Sequence, residues 1–140
     1  MPDLFHQVSI DAPADRVFDA VTTKDGLTSW WTDDVEARPE AGSIAQFGFY
    51  NRAAIFRMRI NELARPGRVR WTCEGDVPEW TGTTLLWDIT PRDGGATLNL
   101  VHAGWKSTDG SLPQCNTVWG ALMMRLKAHC EGRTPEPLHI

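Results

Sequence analysis

The sequence is poor in the features that most often announce a function. No apolar run approaches the length of a membrane span, so no membrane insertion is expected. The N-terminal stretch MPDLFHQVSID has neither the basic region nor the long apolar segment of a secretory signal. Positive charge is in deficit, with 14 Lys and Arg against 18 Asp and Glu and a net charge of −4, which argues against nucleic acid as a partner. Arg52, Arg57, Arg59, Arg65, Arg68 and Arg70 cluster, but at strand spacing, and read as a solvated outer sheet face. Cysteine is limited to Cys73, Cys115 and Cys130, an odd number without metal-type spacing. If Cys115 and Cys130 share one helix, they stand about 22 Å apart along it. A disulfide needs Cα atoms within roughly 7 Å. Reduced thiols and a cytoplasmic location are therefore expected. The G-x-S-x-G, H-E-x-x-H, phosphate-loop and dinucleotide signatures are all missing. No metal or cofactor is expected.

What is present describes one globular domain over 1–132 with a loose tail at 133–140. Hydrophobic residues make up 41% and charged residues 23%, enough for a core and too balanced for disorder. Leu4 to Ile10 alternates loosely as a first strand. In DAPADRVFDAVT, Pro13 suits a first helical position, and Val17, Phe18 and Val21 form the apolar stripe of a helix. A second short helix follows, with Thr22 and Asp25 at capping-box spacing and Leu27, Trp30 and Trp31 on its apolar side. From Ser43 the period becomes two. Phe47 and Phe49, then Phe56, Met58 and Ile60, then Val69, Trp71 and Cys73, then Leu85, Trp87 and Ile89, then Leu98, Leu100 and His102 each alternate with residues predicted to face outward. Runs joined by NRA, ARPG and RDGG describe an antiparallel meander with one apolar face. SLPQ at 111–114 fits a capping box for a last helix, whose stripe is Cys115, Trp119, Leu122, Met123 and Leu126, with Gly132 placed to stop it.

The order of these elements, with IDAPADRVFDAVT, LTSWW, GGATLNLVHAG and VWGALMMRLKAHCEG at its landmarks, resembles the START-like or SRPBCC superfamily. More narrowly, it is similar to homologues of the C-terminal domain of the heat-shock-protein-90 ATPase activator. The resemblance implies an α+β helix-grip fold: a curved antiparallel sheet of six to seven strands around a long C-terminal helix, with two short helices after the first strand. It also implies a cavity between sheet and helix, commonly for an apolar small molecule. The wall would come from Phe47, Phe49, Phe56, Met58, Trp71, Trp87 and Leu100 of the sheet and Trp119, Leu122, Met123 and Leu126 of the last helix. The paired Trp30 and Trp31 cannot share one core site, since neighbouring side chains diverge on helix and strand alike. One is expected to close the core beneath the short helices and the other to lie near the cavity mouth; Trp31 is taken as the ligand-facing candidate.

The plain alternative for these aromatics is core packing. Seven tryptophans are a heavy load for this length, and filling a core with rigid indoles risks voids and unpaired N–H groups, which favours a lined cavity. His102 is the polar candidate, facing inward beside Leu98 and Leu100, either to meet a ligand group and move a proton or as a neutral histidine satisfied by a backbone carbonyl. A nucleophilic cysteine would need a nearby base; Cys73 could meet His102 across the sheet, but no pattern in the sequence shows it. Glu74, Asp88 and Arg57 face outward unless a bulge inverts one of them, and Asp33 and Asp34 read as a solvated turn. The expected function is binding of a small apolar or aromatic molecule, lipid or polyketide-like. The alternatives are a cyclase, dehydratase or hydrolase in the same cavity with His102 as acid–base group, and a chaperone ATPase cofactor. The last is disfavoured because the chain has no room for the activator's separate N-terminal domain. A homodimer would use Trp80 or Trp105, expected to be exposed.

Overall fold

Strands whose alternate residues are apolar have one face to hide, and here seven of them do so in a single antiparallel sheet. The computed structural model describes residues 2–75 and 77–137. β1 (Leu4–Ile10) leads into α1 (Ala14–Thr22) and α2 (Lys24–Trp30). β2 (Asp34–Glu36), β3 (Ile44–Phe49), β4 (Ala54–Ala64), β5 (Arg68–Glu74), β6 (Thr84–Arg92) and β7 (Gly95–Ala103) follow, and α3 (Leu112–Cys130) comes last. The strand order β1-β7-β6-β5-β4-β3-β2 makes β2 to β7 a meander, with β1 paired on β7. This is the helix-grip arrangement expected from the sequence.

The register carries the inward face from strand to strand. Phe47 pairs with Phe56, Met58 with Cys73, Trp71 with Leu85, Trp87 with Leu100 and Leu85 with His102. The outward arginines pair with acids. Arg59 meets Glu74 through two hydrogen bonds of 2.7 and 3.2 Å, and Arg68 stands 3.3 Å from Glu62. The bulge that does occur lies on β4 between Ile60 and Glu62 and leaves Glu74 outward on Arg59. Arg65 turns to Asp15 and Asp19 of α1 and lies 4.4 Å over the ring of Phe18.

The expected helix starts need correction by a residue each. Pro13 is the N-cap of α1, one position before the helix proper, with extended backbone. Thr22 does not cap α2, because it still belongs to α1 and its hydroxyl donates to Phe18 O at 2.8 Å. The chain breaks at Thr23 (φ −97°, ψ 153°), whose hydroxyl accepts from Gly26 N–H at 3.0 Å. Gly26 is required there: a Cβ would fall 2.5 Å from Asp19 O and 2.6 Å from Ala20 Cα, so α2 can approach α1 only without a side chain at this point. Ser111 precedes α3 but makes no side-chain cap bond, because its backbone is already helical (φ −90°, ψ −1°). Its N–H is held instead by Glu79 Oε2 at 3.0 Å. Gly132 (φ +83°) ends the helix as expected.

Of Asp33 and Asp34, expected in a solvated turn, Asp34 instead opens β2, which pairs with β3, and it accepts from Arg52 at 2.6 Å. The far end of α3 is fastened to the start of the chain through Glu131, which accepts from Asp11 N–H at 2.8 Å and from Lys127 at 2.7 Å. These bonds, with Arg133, hold its carboxyl down to about 2. No helix among the described residues is long and apolar enough to cross a membrane.

Candidate functional site

The question raised by Trp30 and Trp31 is settled by α2 ending between them. Trp30, the last helical residue, turns inward, is fully buried and donates from Nε1 to Ala20 O at 2.7 Å. Trp31, just past the helix, swings toward the sheet, stacks on Phe47 at 4.3 Å and retains 8% exposure. That remaining surface belongs to the wall of a cavity of about 280 Å³.

Four pieces of chain meet around this space. Trp31 comes from the end of α2; Phe49, Tyr50, Ala54 and Phe56 come from the β3–β4 hairpin; Trp80 comes from the loop after β5. The first half of α3 supplies Gln114, Cys115, Val118, Trp119 and Leu122. Trp119 stands 5.2 Å from Trp31, and Phe56 meets Trp80 edge-on at 4.5 Å. Tyr50, 86% exposed, stands at the rim together with Gln114. No acidic or basic side chain lines the space, among the described residues.

Of the expected wall residues, the structure gathers Trp31, Phe49, Phe56, Trp119 and Leu122 around the cavity. Phe47, Met58, Trp71, Trp87, Leu100, His102, Met123 and Leu126 face inward as the period required but are packed behind it. The reason is steric. Trp71, Trp87 and Trp119 interlock at 5.5 and 5.9 Å and, with Trp30, fill the middle of the sandwich, leaving space only at one end. The Nε1 atoms of Trp71 and Trp87 in this packing, and of Trp105 beside His102, are buried without a hydrogen-bond partner among the described residues. Trp80 and Trp105, expected on the surface, are buried at 8% and 1% exposure around His102, so neither presents a free face for a dimer.

His102 is fully buried, and both ring nitrogens are assigned by their partners. Thr83 Oγ1 donates to Trp80 O at 2.6 Å, so it accepts at 2.8 Å from His102 Nε2–H. Nδ1 then accepts from Trp119 Nε1–H at 3.1 Å. The ring is neutral, and burial lowers its pKa to about 4. Cys73 makes no hydrogen bond to His102 among the described residues; its Sγ lies 3.3 Å from Met58 Sδ. All three cysteines are free thiols. Burial pushes Cys73 up to about 11 and Cys130 up to about 12, so neither is a nucleophile at neutral pH.

Sequence reasoning missed Trp80, Thr83, Val118 and Gln114. Val118 and Gln114 carry a weak signal, the i, i+4, i+8 row 114/118/122 beside the main stripe of α3. Trp80 and Thr83 lie in a loop where no periodicity operates.

A family model described as Activator of Hsp90 ATPase homolog 1-like protein matches residues 11–131. The solution structure of the Aha1 dimer from Colwellia psychrerythraea is similar at 26% identity and a TM-score of 0.87, covering 94% of this chain and 98% of that one. A protein of Bacillus halodurans is similar at 22% identity and a TM-score of 0.78, covering 94% and 98%. DynU16, from the dynemicin biosynthetic locus, is similar at 21% identity and a TM-score of 0.79, covering 95% of this chain and 48% of its own. No curated protein sequence matches the chain.

Proposed function

The chain belongs to the activator of Hsp90 ATPase homolog 1-like family, and from that premise we propose that its cavity binds a small apolar or aromatic molecule of lipid or polyketide-like character. The observation that carries this reading is the wall itself, an aromatic and aliphatic lining with no acid or base in it. Trp31, Phe49, Phe56, Trp119 and Leu122 would touch the ligand, joined by Trp80 and Val118. Phe47, Met58, Trp71, Trp87, Leu100, Met123 and Leu126 would form the rigid floor behind them. A ligand hiding about 200 Å² of apolar surface gains roughly 5 kcal/mol before the costs of association. A gain of that size sets a limit of about 0.2 mM on the dissociation constant, and the costs of association weaken it further.

The rival reading, turnover with His102 as acid–base group, draws no support from a ring whose nitrogens are both engaged and which lies outside the cavity wall. Self-association belongs to the same proposal, in view of the dimeric Colwellia relative. It would draw on Phe5, Ile44, Tyr50 or Met124, large apolar side chains that are exposed, and sedimentation of the purified protein measures it.

The test is titration of the protein with naphthalene, read by tryptophan fluorescence, beside a Val118→Trp variant that fills the cavity from α3. Saturable quenching in the wild type, lost in the variant while its thermal midpoint is kept, is the expected result. Equal quenching in both would place the probe elsewhere and end this reading.

A further inference from the structure

We propose that the cavity selects uncharged ligands, one- or two-ring molecules carrying a single neutral hydrogen-bonding group, and that Gln114 determines this specificity by meeting that group at the mouth. The inference rests on the ligand-binding reading above and deepens it.

Size sets the first limit. A space of about 280 Å³ corresponds to roughly nine waters at about 30 Å³ each, which is room for one or two fused rings and too little for a long acyl chain. Charge sets the second. The wall contains no Lys, Arg, His, Asp or Glu, so an ionised ligand would lose its hydration without gaining a counter-ion. The nearest candidates for that role are committed elsewhere. Arg52, next to the rim, is held by Asp34 at 2.6 Å and by Gln46 at 3.2 Å.

The start of α3 would ordinarily attract an anion, since its first N–H groups point outward along the helix dipole. Here it does not offer that site. Pro113 has no N–H to give, and the carboxylate of Glu79 already accepts from Ser111 N–H at 3.0 Å. A second anion at this end would face Glu79 as a like charge. A cation would meet aromatic faces but no carboxylate in the wall, and so would be without a counter-ion there.

Polar side-chain contacts must then come from neutral groups: the Tyr50 phenol, the Cys115 thiol, the Gln114 amide and the indole N–H groups of Trp31 and Trp80, which donate and cannot accept. Tyr50 sits on a turn where three successive non-glycine residues, Tyr50, Asn51 and Arg52, have φ of 54°, 54° and 67°, and it is 86% exposed. A thiol is a weak donor and acceptor. Gln114 stands on the first turn of a 19-residue helix, offers two donors and an acceptor, and makes no hydrogen bond to another described residue. Unlike the indoles it can both donate to and accept from a hydroxyl on a ring whose body lies between Trp31 and Trp119.

The experiment compares four probes of one shape on the full chain: naphthalene, 2-naphthol, 2-naphthoate and protonated 2-naphthylmethylamine, each with the wild type and Gln114→Leu. We expect 2-naphthol to bind about fivefold more tightly than naphthalene, the yield of one partly solvated hydrogen bond, and both ions to bind at least tenfold more weakly than 2-naphthol. Gln114→Leu is expected to bring the affinity ratio of 2-naphthol to naphthalene from about five to about one. Either ion binding as tightly as 2-naphthol, or a naphthol preference that survives Gln114→Leu, overturns the specificity proposal while the binding reading stands. Absence of naphthalene binding to the wild type overturns both.

Discussion

Trp119 Nε1–H donates to His102 Nδ1 at 3.1 Å, so an indole of the cavity wall is fixed by an imidazole that the cavity itself never touches. The bond orients Trp119 on α3 against β7. It also consumes the lone pair that an acid–base histidine would need.

Replacing His102 by Leu should therefore behave as a packing lesion. Trp119 Nε1–H is left buried without an acceptor, and Thr83 loses a donor. A loss of about 2–3 kcal/mol is expected from urea unfolding, with naphthalene affinity reduced only through looser placement of Trp119, within about threefold. Unchanged stability would mean that the bond contributes nothing.

The same histidine sets a pH window. Its folded pKa, about 4, lies below the ordinary 6.5, so the unfolded chain binds the proton more readily and acid favours unfolding. This contribution is fully present above about pH 6.5 and is lost as pH falls through 6.5 toward 4, on the order of 3 kcal/mol in all. Glu131, held at about 2 by Asp11 N–H, Lys127 and Arg133, adds its own loss only below its ordinary 4.5. Urea midpoints measured between pH 7 and 4.5 should slope in the wild type and slope less in His102→Leu, where His6 and His129, whose pKa values are also lowered by burial, supply the remainder.

The two adjacent tryptophans should separate stability from binding. Trp30→Ala removes a fully buried indole and its bond to Ala20 O, at about 3–5 kcal/mol. Trp31→Ala removes a side chain with one face on the cavity, so a smaller stability loss should accompany at least a tenfold loss of probe affinity. Equal effects of the two on both readouts would mean that Trp31 is core alone.

Gly26→Ala tests the α1–α2 joint that places Trp31. Its Cβ would sit 2.5 Å from Asp19 O, backbone that cannot swing aside, and a loss of at least about 2 kcal/mol is expected despite alanine's better helix propensity. A stabilised variant would show that the helices part freely.

Much of this fold was legible because burial imposes a period. Phe47, Met58, Trp71, Trp87 and His102 were predicted inward by alternation and are inward; Val17, Phe18 and Val21 were predicted as a stripe and are buried. What escaped was whatever depends on how elements meet. Asp34–Glu36 is too short to show alternation and becomes a strand only by pairing with β3. Which of the inward residues border empty space depends on how far the indoles of Trp30, Trp71, Trp87 and Trp119 interpenetrate, and no local pattern encodes that. Trp80 lies in a loop where sequence gives no facing, and it was misplaced on the surface for that reason.

If the space among Trp31, Trp80 and Trp119 receives a small uncharged aromatic molecule, titration of ¹⁵N-labelled protein with 2-naphthol will show it at the indole N–H resonances of the seven tryptophans. Saturable shifts are expected for Trp31, Trp80 and Trp119 with one dissociation constant, while Trp30 and Trp105 stay in place. Shifts absent from those three, or centred on Trp30 and Trp105, would contradict it.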